Sequence, residues 1–160
     1  MPQNCTTDAA GCIDCPFIPA TEGTPSHIDV SALTGWNAGA NSVAMLADGN
    51  VRTTFTVPAG VIGVVCGFKE ARDEIVAPEL PTHAFYFANV AGVDLVSILE
   101  MGTTVGSPTG RVESDVFQIR RRDGAVEYRI NGTTVFRSTR RSVRPVLVSA
   151  CLFNTDDGIQ

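Results

Sequence analysis

Apolar and polar residues alternate through 116–138, first at Phe117, Ile119 and Arg121 and then at Val126, Tyr128 and Ile130. Two turn pairs, Asp123-Gly124 and Asn131-Gly132, interrupt the alternation. Period-two patterning broken by Asp-Gly and Asn-Gly predicts three strands joined by type I′ turns, because those pairs accept the positive φ such turns require. A meander of this kind has one apolar face and needs a second layer to cover it.

The rest of the chain offers that layer as short strands. His27-Ile28-Asp29-Val30 reads as an entry strand, and 42–46 reads as the next. Val51, Thr53, Phe55 and Val57 alternate as a half-buried strand that Pro58 ends. Residues 59–68, AGVIGVVCGF, form a β-branched run expected to lie buried on both faces, with Cys66 acting as a small apolar residue. Residues 84–90 and 94–101 continue the pattern across Ala91-Gly92, and 143–153 is the last clear strand, with Pro145 at its entry. Residues 69–83 break the rhythm with six charges and two prolines and read as a contact loop, while 102–110 reads as a Gly/Ser/Thr/Pro turn region. Residues 154–158 read as a turn, after which the chain stops where a closing strand would begin, so the expectation is either a segment of a longer polypeptide or an end that pairs with a neighbour. With nine to eleven strands at this spacing and no helical period, the expected fold is all-β, an antiparallel two-sheet β-sandwich of jelly-roll type over residues 27–160.

Residues 1–26 lack any period and carry three cysteines and four prolines, so they read as an irregular N-terminal arm. Cys5, Cys12 and Cys15 stand as C-x6-C-x2-C, and thiolates two residues apart converge on one ion, so zinc or an iron–sulfur cluster is one expectation. A fourth ligand is missing locally, and disulfides or unlinked thiols are the other readings. Pro16 and Phe17 extend the arm as an assembly contact.

The 160 residues form one domain by length, with a formal net charge of −5. That figure conceals a split. Residues 1–110 hold eleven acids against Arg52, Lys69 and Arg72, whereas residues 111–160 hold nine arginines against six acids. Arg120, Arg121, Arg122, Arg129, Arg137, Arg140, Arg141 and Arg144 read either as a basic face for anionic partners or as outward strand residues paired with acids. No aromatic ladder accompanies them, and the acidic total argues against a nucleic-acid binder. The apolar runs are too short for a membrane span, and the N-terminus has no basic stretch followed by an apolar one, so no secretory signal is read.

The order of motifs narrows the fold. Trp36 and Ser42, then Gly60-Val61, Cys66-Gly67-Phe68, Ala84-Phe85-Tyr86-Phe87, Asp115-Val116-Phe117-Gln118-Ile119, Gly124-Ala125-Val126-Glu127-Tyr128 and Asn131-Gly132 resemble the concanavalin A-like lectin/glucanase sandwich. The pattern is most similar to the versions carried in tail-tip, baseplate and fibre proteins of tailed bacteriophages. The resemblance implies a virion part assembled in the host cytoplasm and working outside the cell. Its implied partners are other tail proteins, in a homo-oligomer that is trimeric by analogy. Fold alone does not give function.

Glycosidases of this fold carry alternating acids of the form E-x-D-x-E, which are absent here. Glu70, Asp73 and Glu74 have the wrong spacing, and Glu113 with Asp115 is a lone pair. His27 and His83 lie next to no nucleophile turn and read as loop residues. The chain is therefore expected to be non-enzymatic. The alternative to a structural tail part is a carbohydrate-binding module for a bacterial surface glycan, with Trp36, Tyr86, Arg120, Arg122 and Arg129 as contacts, although Trp36 reads more readily as a core plug than as a sugar platform.

Overall fold

The computed structural model describes residues 6–7, 13–14, 38–42, 45–46, 49–71, 81–153, 157 and 159. These form two sheets and no helix. Sheet A contains β1 (Thr6–Thr7), β2 (Ile13–Asp14), β4 (Val51–Phe55), β9 (Phe117–Arg122), β10 (Ala125–Ile130) and β11 (Thr133–Arg137), in the order β1-β2-β4-β9-β10-β11. Sheet B contains β3 (Ala38–Asn41), β5 (Val64–Glu70), β6 (His83–Val90), β7 (Val93–Glu100), β8 (Thr103–Gly110) and β12 (Val146–Leu152), in the order β3-β12-β5-β6-β7-β8. Every pairing is antiparallel except β2 with β4.

The meander folds as its pattern implies. Asp123 and Gly124 have φ of 48° and 78°, and Asn131 and Gly132 have 50° and 78°, so both connections take the left-handed pair that matches strand twist. Ala91-Gly92 and Met101-Gly102 do the same at 52° and 83°, and 52° and 77°. At Met101 a large side chain holds a backbone conformation that glycine or asparagine usually supplies.

Inward residues alternate along β4, β9 and β10. Phe55, Phe85, Phe87, Phe117 and Tyr128 meet between the sheets with ring centroids 4.7–6.3 Å apart, and Val51, Val64, Cys66, Phe68, Ile119, Val126, Val146 and Val148 complete the core. Burial pushes the Cys66 thiol well up, with Cys151 adding to the effect, so it stays a neutral core residue.

Four expectations are corrected. Residues 102–110 are largely strand β8, whose exposed positions at the sheet edge leave no apolar period to read. The buried run 59–68 starts as a strand only at Val64, because Ala59-Gly60 turns first, and it continues through Lys69 and Glu70. Of the strand expected at 42–46, residues 42, 45 and 46 are described and only Leu46 pairs, by a single bridge, while β3 lies just before it at 38–41. His83 opens β6 and is 1% exposed, facing the core rather than lying in a loop.

Candidate binding surfaces

Among the described residues, chemistry-bearing side chains gather in the core beside His83, on the outer face of sheet A, and at the two ends of the sandwich, one of them where β9 turns into β10. The first is sealed. His83 pairs with Glu100 across β6 and β7, and Tyr128 reaches them from sheet A. The His83 Nδ1 lies 3.6 Å from Glu100 Oε1 and 3.4 Å from the Tyr128 hydroxyl, which is also 3.4 Å from Glu100 Oε1 and from the Leu99 carbonyl. With His83, Glu100 and Tyr128 no more than 6% exposed, no substrate reaches them.

Burial pushes the His83 imidazole below its ordinary value, Glu100 and Glu70 oppose this, and Arg140 adds to it. Burial and the Glu100 charge hold the Tyr128 phenol protonated. Folded His83 therefore binds its proton at lower pH than the unfolded chain, whose imidazoles titrate near ~6.5. Stability from the neutral ring is complete above that value and is lost as pH falls through the lower, folded value. Urea midpoints are expected to decline on acidification from about pH 7.5 to about pH 5, and the decline should flatten in His83→Gln. A wild-type midpoint constant over that window would contradict this.

The outer face of sheet A is built by strand parity. Phe117, Ile119 and Arg121 point inward, so Gln118, Arg120 and Arg122 point out. Register sets Arg52, Arg120, Glu127 and Arg137 in one row across four strands, and Thr54, Gln118, Arg129 and Thr134 in the next. Arg120 pairs with Glu127 at 2.5 Å, and Arg137 Nε lies 3.4 Å from the other Glu127 oxygen. Gln118 Nε2 donates to Thr54 Oγ1 at 3.1 Å, Arg129 Nη1 donates to Gln118 Oε1 at 3.3 Å, and Arg129 Nη2 donates to the Gly132 carbonyl. Held in this way, the guanidinium and amide groups present fixed donors at little further cost in side-chain entropy.

The expected contact residues do not gather into one groove. Arg120 and Arg129 belong to this ladder, whereas Arg122 is exposed at its end. Tyr86 lies on the opposite side of the sandwich, half-buried against Val65, Ala84 and Leu99 on the outer face of sheet B. Arg121, grouped with the basic face in the sequence, is 1% exposed and points into the sandwich. It donates to the carbonyls of Gly49 at 3.2 Å and Arg144 at 2.5 Å and to Ser142 Oγ at 3.4 Å. Trp36, Cys5, Cys12, Cys15, Pro16, Phe17, His27, Asp73 and Glu74 lie outside the described residues.

Two acids, Asp94 near the start of β7 and Asp157 in the stretch read as a turn, serve as backbone clamps at the far end. Burial disfavours the charged form of Asp94, but bonds from Asn89 and the Gly60 N–H, with the Arg111 charge, outweigh it and lower its pKa. Asp157 accepts from the N–H groups of Ile62 at 2.8 Å and Gly63 at 3.1 Å. Among the described residues no three His, Cys, Asp or Glu side chains form a metal-binding group, and no helix is long and apolar enough to cross a membrane.

No family model and no curated protein matches the chain. Solved structures similar to it include a Bacillus licheniformis β-glucanase, at 11% identity and a TM-score of 0.45 over 75% of this chain and 58% of that one. A β-1,3-1,4-glucanase (lichenase) from a mouse hindgut metagenome is similar at 9% identity and 0.42, over 74% of this chain and 59% of that one. The Emp47p carbohydrate recognition domain is similar at 10% identity and 0.44, over 79% of this chain and 75% of that one. The chain thus spans less than two thirds of the two glucanases, and overlaps of this size assign it neither a substrate nor residue roles.

Proposed function

We propose that the chain is a non-catalytic, lectin-like module that recognises a bacterial surface glycan through the outer face of sheet A. The observation that carries this reading is the double row Thr54-Gln118-Arg129-Thr134 beside Arg52-Arg120-Glu127-Arg137, in which Gln118, Arg120, Glu127 and Arg129 are held by cross-strand bonds. Sugar hydroxyls need such paired donors and acceptors in plane, and an unmatched group on either side is costly. The buried His83, Glu100 and Tyr128 cluster has no access to a ligand and takes no part.

The setting we propose is a bacteriophage tail, as the sequence resemblance implies, where such a module would meet the host surface while joined to neighbouring tail proteins. Ile62, Val90, Val93 and Val112 support a docking role, being 54–60% exposed at the end opposite the Asp123-Gly124 turn.

Native mass spectrometry with oligosaccharides cut from a bacterial surface polysaccharide tests both parts. The chain should appear as a homo-oligomer carrying sugar. Gln118→Ala should weaken binding about fivefold and Arg129→Ala about tenfold, as expected for one neutral and one charged hydrogen bond. Equal binding by wild type and both variants would remove the face from the account, and a monomer would remove the tail setting.

A further inference from the structure

The arginines that the sheet-face ladder leaves unused come together at one end of the sandwich. Arg122 closes β9, and Arg140, Arg141 and Arg144 lie in the loop between β11 and β12. Nonlocal bonds hold that loop against the β9–β10 hairpin. The Ser142 N–H donates to the Gly124 carbonyl at 2.8 Å, and Arg141 Nη2 donates to the Asp123 carbonyl at 2.6 Å. The Arg141 guanidinium also lies against Gly124, where an added Cβ would come within 3.2 Å of Nη2. Beneath them Arg121 grips the Arg144 carbonyl and Ser142 Oγ from inside the sandwich. A buried cation thus fixes the backbone from which exposed cations project.

All four arginines are exposed, and the arginine–carboxylate pairs seen between described residues, such as Arg111 with Asp94 and Arg120 and Arg137 with Glu127, use none of them. Asp123 is the one acid of the hairpin turn beside them. Cations gathered at one end of a domain without carboxylate partners favour binding of a counter-charge, and a guanidinium fork matches the two oxygens of a carboxylate, sulfate or phosphate. The neighbouring exposed side chains, Ala125, Thr139 and Val143, provide no ring on which a base could stack, and the chain as a whole is acidic.

We propose that this arginine end binds an acidic polysaccharide, a polymer bearing carboxylate, sulfate or phosphate groups on its sugar repeats. The proposal deepens the glycan reading above by adding a second contact with its own charge requirement, and its test separates the two.

The intact chain is titrated with a polyuronate, a sulfated polysaccharide, a phosphate-bearing polysaccharide, a neutral glucan and a single-stranded oligonucleotide of matched length. At least one acidic polysaccharide should bind more tightly than the glucan, and the one preferred identifies the oxyanion. Its affinity should fall about tenfold or more between roughly 0.05 M and 0.2 M salt, as expected when bound counterions are released. The triple variant Arg122→Gln/Arg140→Gln/Arg144→Gln should lose about tenfold or more of that affinity. It should melt at the wild-type temperature and keep any binding of neutral oligosaccharide. The proposal is overturned if no acidic polysaccharide binds better than the glucan, if the triple variant binds within twofold of wild type, or if the oligonucleotide binds best. Loss of neutral binding alone, in wild type, would instead count against the sheet-face reading.

Discussion

Gly67→Val is expected to lower the unfolding free energy by about 3 kcal/mol or more, at or beyond the usual limit for overpacking. Gly67 sits in β5 opposite Ala84, with β12 on its other side. A Cβ placed there would come 2.0 Å from the His83 carbonyl oxygen, 2.6 Å from Ala84 Cα and 2.9 Å from Ala84 Cβ. Two of these three atoms are backbone, so no change of rotamer relieves the clash, and β5 and β6 must separate. Because β5 lies in the interior of sheet B, the displacement passes to both neighbours. Gly67→Ala carries the same clash with less bulk and should show a smaller loss of the same sign. Urea denaturation read by far-UV circular dichroism measures both variants, and a Gly67→Val midpoint matching wild type would show that the two strands are not packed as described.

Phe85→Ala is expected to cost about 3–5 kcal/mol, the range for emptying a large aromatic site from a packed core. Its ring lies 6.3 Å from Phe55, 6.0 Å from Phe87, 5.4 Å from Phe117 and 5.3 Å from Tyr128, so it touches both sheets. Three of these four contacts are edge-to-face, the arrangement that aromatic quadrupoles favour. Phe85→Leu refills much of the volume and should lose clearly less. A cost for Phe85→Ala below about 1.5 kcal/mol in urea unfolding would mean that the ring is not central to the core.

Much of the fold was legible because sheet parity and turn chemistry are local. Phe117, Ile119, Val126 and Tyr128 point inward as the alternation requires, and Asp123-Gly124 and Asn131-Gly132 take the turns their residue types favour. Parity also placed Gln118, Arg120 and Arg129 on an outer face, and it turned Arg121 inward, although its charge had grouped it with the basic surface. Edge strand β8 was not legible. A strand exposed on both faces has no apolar alternation, and its Gly106-Ser107-Pro108 stretch, at a register irregularity opposite β7, looks like a turn. His83 and Glu100 were not legible as partners, since their pairing depends on the register between β6 and β7. The arginine end depends on a loop folding back on a hairpin some twenty residues earlier, and no local pattern records that contact.

The outer face of sheet A is tested most directly by mapping backbone amide chemical shifts of the isotope-labelled chain during titration with surface oligosaccharides, while the sugar is followed for cleavage. The account predicts saturable shifts concentrated at Thr54, Gln118, Glu127, Arg129 and Thr134, with the sugar intact. Shifts clustered around Tyr86, Ser97 and Cys151 on the opposite face, or release of shorter sugars, would contradict it.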